Sequence, residues 1–214
     1  NSVLLMAIQL LTKGKYVLQS DDYERNDVDF RRDASLQYMP ATPWNTAGAK
    51  PVDDIKRMLG LQLDADGGEA KISLTSSSVW QSLWNNEEFK KEFITPYAGI
   101  SVPVDPSFGV KRSATFKGTF DGIEFWTYDE TYRHKNQVQR LIPKDFFSLI
   151  SDTNGSVAHC KIDNMLAQGS AQQYFDRQFY VEDPSAIFLM TESAPLVLPS
   201  NKNGVVGGSG FIQL

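Results

Sequence analysis

Residues 114–128 read ATFKGTFDGIEFWTY, and this stretch carries the clearest structural pattern in the chain. Large apolar residues, among them Phe120 and Ile123, lie on both sides of the dipeptide Asp121-Gly122. Asp-Gly is favoured in two-residue hairpin loops because both loop positions adopt positive φ. The stretch therefore predicts a β-hairpin, and the sequence around it should supply the remainder of the domain.

The segment before this hairpin predicts a layer of helices and strands. Pro51 suits the first position of a helix, and Asp53 and Asp54 in its first turn favour the positive end of the helix dipole. A mostly apolar stripe follows and ends before Gly67-Gly68; its members are Ile55, Met58, Leu59, Gln62 and Leu63. A strand is predicted next, at 70–75. Ser76 to Ser78 can cap a following helix that carries Val79, Trp80, Leu83 and Trp84, and after Asn85-Asn86 a second helical piece carries Phe89 and Phe93 and stops at Pro96.

Further strands are predicted towards both ends of the chain, which gives an α+β class. They lie at 16–18, 28–30, 146–150, 171–181 and 186–198. The Pro- and Gly-containing segment 34–50 is a predicted connection and boundary, the Pro-rich segment 95–109 is a predicted surface loop, and 152–155 is a predicted turn. The Gly-rich tail 201–210 has no apolar period, so it is predicted to be irregular.

The chain opens on an unusual apolar run, VLLMAIQLL at residues 3–11. Nine residues are too few for a membrane span, which needs about 20. The run predicts the end of a helix closed by Gly14, and a helix that is apolar on nearly all sides normally has partners on every side. We expect that residues upstream are absent from this sequence or that another subunit covers the helix. The candidate interface residues are Leu4, Leu5, Ile8 and Leu11.

Composition excludes several classes of protein. The 214 residues include 21 Lys+Arg and 26 Asp+Glu, so the formal net charge is −5, which disfavours a general nucleic-acid binder. The single cysteine excludes an internal disulfide framework and a zinc site built on a Cys cluster, and it is typical of a reducing compartment. We expect that cysteine, Cys160, to be a core residue.

Candidate reactive groups each have a plainer explanation. His159-Cys160 resembles a thiol beside its base, but adjacent residues on a strand point to opposite faces. His134 lies in a predicted charged, solvated loop at 132–139. The acidic segment 64–69 fails the calcium-loop spacing, because Glu69 and Thr75 occupy the positions that require glycine and glutamate. The acidic residues at 21–29 alternate with arginines, which predicts local ion pairs. We therefore expect no enzyme activity, metal or cofactor.

Two alternatives stay open on the residues alone. Trp80 and Trp84 lie four positions apart on one predicted helix and Trp126 lies in the hairpin, so these rings could form a sugar-binding platform or pack in the core. A carbohydrate-binding or adhesin-like virion module is therefore the alternative function. A hydrolase that uses Cys160 or paired aspartates is the third possibility.

Several blocks of sequence, taken in order, carry a resemblance. They are LTKGKYVL at 11–18, DVDFRR at 27–32, Trp44 in a loop before PVDDIK at 51–56, WQSL at 80–83 and FLMTESAPLVL at 188–198. Their order and spacing resemble the lambda-type phage major capsid proteins over residues 7 to 214. The last block is the most specific, because a Glu/Gln-Ser-Ala-Pro-Leu run before the C-terminus recurs in that family.

The resemblance implies the Hong Kong 97-like phage capsid fold. Residues 1–41 would form the first part of a peripheral domain, with the end of the spine helix and strands. Residues 42–170 would form an α/β axial domain, and residues 171–214 the return strands and C-terminal tail of the peripheral domain. The N-terminal arm and extended loop of the family have no counterpart in this sequence, so we expect that residues 1–214 alone do not form shells.

The implied function is structural. A major capsid subunit self-assembles into hexamers and pentamers of an icosahedral shell that encloses double-stranded DNA without sequence-specific binding. The implied partners are other copies of the chain and, in addition, a scaffold or head protease, decoration proteins and a portal protein. No membrane is involved, and the implied location is the virion capsid, assembled in the cytoplasm of a bacterial host.

Overall fold

The structure is a computed structural model, which describes residues 2–20, 23–93, 114–134, 137–151, 155–162, 171–181 and 185–214. The chain forms two compact units. One unit comprises Asn1–Ala7 with Asn154–Ser200, and the other comprises Ile8–Thr153 with Asn201–Leu214. The predicted loop at 95–109 and most of the predicted turn at 152–155 lie outside the described residues.

The larger unit is built on a five-stranded mixed sheet with the order β13-β8-β3-β5-β4. Its strands are β3 (Ala70–Thr75), β4 (Ala114–Phe120), β5 (Ile123–Tyr128), β8 (Phe147–Ser151) and β13 (Val205–Gly208). The predicted hairpin is confirmed: β4 pairs antiparallel with β5, and Asp121 and Gly122 between them have φ of 49° and 76°. Strand β3 runs parallel to β5 and antiparallel to β8.

Three helices of this unit agree with the sequence prediction. They are α2 (Pro51–Asp64), α3 (Ser77–Trp84) and α4 (Glu87–Glu92). Ser76 caps α3 and Asn86 caps α4, because each side chain accepts a hydrogen bond from a backbone amide three positions later. Along α2 the predicted stripe is buried at Ile55, Met58 and Gln62, but Leu63 is 60% exposed. Successive residues of an α-helix are rotated by 100° about its axis. The side chain of Leu63 therefore points away from the core, although that of its neighbour Gln62 is buried in it.

Aromatic rings fill the core of this unit. Phe89, Phe125, Phe147 and Phe211 are each fully buried. The ring centroids of Phe125 and Phe147 are 6.2 Å apart, and those of Phe147 and Phe211 are 5.2 Å apart. Offset and edge contacts of this kind add about 0.5–1.5 kcal/mol per pair beyond the burial of area.

The Gly-rich tail is a strand, so its prediction as irregular was wrong. Val205–Gly208 forms β13 and pairs antiparallel with β8 at the edge of the sheet. A Cβ on Gly207 would lie 2.3 Å from the carbonyl oxygen of Phe147, so only glycine allows this close approach. Glycines have no side chain to reveal an alternating pattern, which is why the sequence conceals this strand.

The first elements of the chain are α1 (Ser2–Lys13), β1 (Lys15–Ser20) and β2 (Tyr23–Asp29). Strands β1 and β2 were both predicted as strands, and they pair antiparallel with each other. Gly14 ends α1 with φ of 69°. Arg32 donates hydrogen bonds to the carbonyl oxygens of Leu11 and Thr12, at 3.0 and 3.3 Å. The arginine therefore caps the negative end of α1. The acidic side chains at 21–25, for which local ion pairs are predicted, lie outside the described ones.

Two further local elements complete the larger unit. Ala34–Leu36 forms a short 3₁₀ helix within the predicted connection. Strands β6 (Thr131–His134) and β7 (Gln137–Arg140) pair antiparallel where a charged loop was predicted, which corrects that prediction. Every described residue of β7 is exposed, so no apolar alternation marks it in the sequence.

The smaller unit contains two separate antiparallel pairs. Strand β9 (Ser156–His159) pairs with β12 (Pro195–Leu198), and β10 (Phe175–Val181) pairs with β11 (Ala186–Glu192). The predicted strand region 186–198 is thus two strands, with a break at Ser193-Ala194. The α+β class is confirmed. None of the described helices is long and apolar enough to cross a membrane.

Candidate functional site

The histidine–cysteine pair is not a catalytic dyad in this structure. Cys160 is exposed, so its prediction as a core residue was wrong. It follows the last residue of β9, and its amide donates to the carbonyl oxygen of Ala194 at 2.8 Å, which holds the backbone and leaves the side chain in solvent. Nδ1 of His159 is buried and has no hydrogen-bond partner among the described residues.

The acidic segment after α2 is a turn. Asp66 adopts φ of 57° and Gly68 adopts φ of 80°, and together they reverse the chain from α2 into β3. Asn201 and Asn203 donate to the carbonyl oxygens of Asp66 and Ala65, each at 2.8 Å. Across the part of the chain that the structure describes, no group of three His, Cys, Asp or Glu residues could hold a metal ion.

The tryptophans are used in packing. Trp80 and Trp84 stack with centroids 5.8 Å apart, and Trp80 also contacts Phe93 at 5.2 Å and Phe125 at 6.1 Å. Trp84 is 38% exposed, so it covers one side of the aromatic core and leaves an edge in solvent. These contacts indicate that Trp80 and Trp84 pack against the core, and they fit a flat sugar-binding platform less well.

A cavity of about 350 Å³ lies beside Trp44 and is lined mainly by polar uncharged groups. Asn45 exchanges two hydrogen bonds with the backbone of Gln213, at 2.8 and 2.9 Å. Thr46 donates to the carbonyl oxygen of Pro43 at 2.6 Å, and Asn86 accepts from the amide of Phe89 at 2.9 Å. These groups hold the loops in place, and no His, Asp, Glu or Lys is among the described lining residues, so no hydroxyl of the cavity has an adjacent base there.

A hydrogen-bonded carboxylate connects α3 to the base of the β6–β7 hairpin. Asp129 accepts from the hydroxyl and the amide of Ser77, and it pairs with Arg140 at 2.8 Å. Burial alone would raise the pKa of Asp129, but the hydrogen bonds from Ser77 and the guanidinium of Arg140 together lower it. An acid held ionised in this way stabilises a junction and is not available as a proton donor at neutral pH.

The four predicted interface residues of α1 have different environments. Leu4 is 40% exposed, and Leu5 and Leu11 are half-buried. Ile8 is 6% exposed and packs with Ile142 and Phe146 in a small cluster of the larger unit. Leu4 and Ile8 are four residues apart and therefore lie on the same face of α1, with Ile8 buried and Leu4, one turn nearer the N-terminus, 40% exposed. A role of the four residues in a subunit interface stays a prediction.

A strongly exposed apolar surface lies on the β10–β11 ribbon, which the sequence prediction did not single out. Tyr180, Ile187 and Leu189 are 73%, 67% and 69% exposed. Tyr180 lies directly opposite Ile187, and Leu189 is two positions further along the same strand. Side chains alternate between the two faces of a strand, so all three share one face. We call these three residues the hairpin patch.

The other face of the ribbon is apolar as well. Phe188 is 57% exposed, it lies opposite Phe179, and the guanidinium of Arg177 lies 4.5 Å from the centroid of that Phe179 ring. An isolated two-stranded ribbon is marginally stable in water, and exposed apolar patches of this kind mark protein interaction sites. The unbroken apolar run AIFLM at 186–190 was a usable signal, because such runs are typical of strands covered on both faces.

Comparisons with known proteins agree with one another. The sequence profile of the family "Phage major capsid protein E" matches residues 4–209. The P21 prophage-derived major head protein of Escherichia coli O6:H1 and the major capsid protein of Enterobacteria phage P21 are each 22% identical over 211 residues. A crystal structure of a prophage capsid protein of E. coli CFT073 shares the fold, with a TM-score of 0.80 at 18% identity.

The matched region is nearly the whole of this chain but only part of these relatives. It covers 94% of this chain and 61% of each of the two head proteins. For the crystal structure the shares are 99% and 62%. The chain thus spans about three fifths of the length of the relatives it matches.

Proposed function

Because the chain belongs to the phage major capsid protein E family, we propose that it self-assembles into hexamers and pentamers of an icosahedral shell that encloses double-stranded DNA. Family membership supports the coarser statement directly: this is a phage or prophage head protein with a structural role. The resemblance read from the ordered sequence blocks is thereby confirmed, and so is the capsid-protein fold.

The hairpin patch is the observation that supports self-association most strongly. Three large apolar side chains lie on one face of a two-stranded ribbon, and each is more than two thirds exposed. Covering such a side chain stabilises an association by about 1.5–3 kcal/mol. A shell offers many copies of the same chain at fixed positions, so a neighbouring subunit is the natural cover for this patch.

A second contact involves α1. Leu4 is in solvent and Leu5 and Leu11 are half-buried, so a neighbouring subunit contacts these residues, while Ile8 supports the helix from inside. In this arrangement residues 1–41 and 171–214 serve as the peripheral domain and residues 42–170 as the axial domain. The family resemblance carries this assignment, whereas the two compact units of the structure are Asn1–Ala7 with Asn154–Ser200 and Ile8–Thr153 with Asn201–Leu214.

The charge of the chain suits a container for DNA. With a net charge of −5, the protein repels the phosphate backbone on average, so DNA can be enclosed without being gripped. Assembly in the bacterial cytoplasm places the exposed thiol of Cys160 in a reducing compartment. Scaffold or head protease, decoration and portal proteins are the further partners of such a shell.

Expression of the full-length gene product with its neighbouring head genes tests the proposal. Electron microscopy should show closed shells of uniform size. Monomers alone, at several salt concentrations, would show that the chain is not a shell-forming subunit. Residues 1–214 expressed by themselves should remain small oligomers or monomers, because the matched relatives have additional length.

A further inference from the structure

The dipeptide Asn203-Gly204 lies directly before strand β13 and is chemically reactive in an unfolded chain. There, the backbone nitrogen that follows an asparagine can attack the carbonyl carbon of its side chain and close a cyclic imide. The attack is easiest before glycine, because glycine has no Cβ to obstruct it and allows the backbone torsions that it needs. Asn154-Gly155 is the other Asn-Gly pair of the sequence, and it provides an internal reference.

The side chain of Asn203 is held at both of its polar ends. Its Oδ1 accepts a hydrogen bond from the backbone amide of Asp33 at 3.0 Å, and its Nδ2 donates to the carbonyl oxygen of Ala65 at 2.8 Å. A backbone amide can only donate and a backbone carbonyl can only accept, so the two ends of this side chain cannot be exchanged. Asn203 thus joins the segment after β2 to the turn between α2 and β3. We call this contact of three residues the Asn203 junction.

The backbone beside this side chain is fixed as well. The carbonyl oxygen of Gly204, a buried residue, accepts hydrogen bonds from Nε2 of Gln62 at 3.0 Å and from the amide of Ser151 at 2.9 Å. The amide of Gly204 donates to the carbonyl oxygen of Asn201 at 3.2 Å. The nitrogen that would attack is therefore already engaged in a hydrogen bond, and the glycine that carries it is anchored through its carbonyl oxygen.

Close packing leaves the Asn203 junction no room to rearrange. A Cβ on Gly67 would lie 2.3 Å from the carbonyl oxygen of Asn203, so the α2–β3 turn approaches this peptide group to a distance that only glycine permits. Ring closure must bond Cγ of Asn203 to the nitrogen of Gly204 and expel Nδ2. The hydrogen bonds that Nδ2 and the Gly204 amide make in the fold must therefore break, and the junction has to open before the reaction can start.

We propose that Asn203 is a deamidation site that the Asn203 junction protects in the folded chain, and that reaction there prevents the junction from forming again. The attack forms a bond between the nitrogen of Gly204 and Cγ of Asn203 and breaks the bond from Cγ to Nδ2. Nδ2 leaves as ammonia and takes up the amide proton of Gly204. Water then opens the imide at either carbonyl carbon, which gives aspartate or isoaspartate. The main chain of isoaspartate is longer by one carbon atom.

Both products lose the donor that binds Ala65. A carboxylate oxygen in its place would face the carbonyl oxygen of Ala65, and two acceptors cannot form a hydrogen bond. In isoaspartate the additional main-chain atom would also have to fit beside Gly67, where even a Cβ has no space. Because the change is covalent, each opening of the junction that leads to reaction leaves a lasting mark. This inference goes beyond the proposed function and does not depend on shell assembly.

Mass spectrometry of peptides from the full-length gene product tests the site. In guanidinium chloride, Asn203 and Asn154 should deamidate at similar rates, because each precedes a glycine. In buffer without denaturant, Asn203 should react at least about a hundredfold more slowly than in denaturant, since the junction is then open in about 1% of molecules or fewer. Equal rates at Asn203 in the two solutions would overturn the protection. An unmodified Asn203 in denaturant, where Asn154 reacts, would overturn the site itself.

A substitution tests the consequence for the fold. Asn203→Asp in the full-length gene product imitates one product and should lower the midpoint of thermal unfolding by about 2–6 °C, because Ala65 loses its donor. Asn86→Asp is the matched control. The hydrogen bond of Asn86 to the amide of Phe89 uses Oδ1 alone, so an aspartate retains it and the midpoint should not fall. Equal midpoints of Asn203→Asp and the wild type would overturn the loss of the junction.

Discussion

The phenol of Tyr38 donates a hydrogen bond to the carboxylate of Asp54 at 2.6 Å and thereby connects the segment after the 3₁₀ helix to the first turn of α2. The indole of Trp44 donates to the other carboxylate oxygen of Asp54 at 2.8 Å. One carboxylate at a helix N-terminus thus organises two aromatic side chains that the sequence places in a loop. Both rings lie in the main core cluster.

This contact predicts a loss of stability in alkali. Burial, followed by the hydrogen bond to Asp54, raises the pKa of Tyr38 to about 12. The pKa of an unfolded tyrosine is about 10, so the protonated phenol stabilises the fold fully below pH 10, and that contribution is lost as the pH rises towards 12. Tyr38→Phe should lower the free energy of unfolding by about 1 kcal/mol at neutral pH and reduce the alkaline loss. Denaturant unfolding from pH 8 to 12 measures both effects. An unchanged alkaline slope in the variant would contradict the assignment to Tyr38.

Strand β13 packs closely against β8, so adding one methyl group to a glycine of β13 should lower the stability strongly. Gly207→Ala places a Cβ against the carbonyl of Phe147 at a residue with φ of 131°, so we expect a loss of about 2 kcal/mol or more. Gly60→Ala is the matched control, because Gly60 lies inside α2 and a Cβ there would have no neighbour within 4 Å, so this variant should gain about 0.5–1 kcal/mol. Thermal unfolding of the two variants gives the comparison, and similar midpoints would show that β13 is not packed as described.

The junction at Asp129 predicts sensitivity to acid. Its pKa is lowered in the folded chain, so its contribution is present at neutral pH and is lost as the pH falls below about 4. Asp129→Asn should be less stable by about 1 kcal/mol at pH 7 and should lose less stability on acidification. Ser77→Ala, which removes one donor, should shift the same profile in the same direction. Urea unfolding from pH 7 to 3 measures this, and a parallel decline in wild type and Asp129→Asn would contradict it.

The hairpin patch predicts variants that fold but do not assemble. Ile187→Asp or Leu189→Asp should leave thermal unfolding of the monomer nearly unchanged, because both side chains are in solvent there. Each should weaken subunit association about tenfold or more, since an apolar contact worth about 1.5–3 kcal/mol is lost. Met39→Asp is the control, because Met39 is 67% exposed outside the patch. Sedimentation velocity separates the two effects, and wild-type assembly by both patch variants would remove the patch from the interface.

Local chemistry made much of this fold predictable. Asp121-Gly122, the Pro51 helix start and the Ser76 and Asn86 caps each act within a few residues, so the hairpin and helices α2 to α4 follow from the sequence. Strand β13 could not be found in this way, because its glycines fit only against the backbone of β8, which is distant in sequence.

The candidate site was less predictable, for a different physical reason. Leu4 and Ile8 are both apolar and lie one turn apart on the same face of α1, and only the tertiary structure distinguishes the exposed Leu4 from Ile8, which packs with Ile142. Cys160 was misjudged because cysteine is commonly buried, and the end of β9 overrides that tendency. The hairpin patch was detectable from its apolar run, but a run that is covered within one chain has the same composition as one covered by a neighbour.

Cryo-electron microscopy of shells formed by the full-length gene product tests the central claim most directly. The claim is that this chain is a shell subunit whose hairpin patch is covered by a neighbouring copy. A reconstruction should place Tyr180, Ile187 and Leu189 against an adjacent subunit and out of solvent. Shells in which these three side chains remain exposed would contradict that contact, and a preparation that contains no shells would contradict the account as a whole.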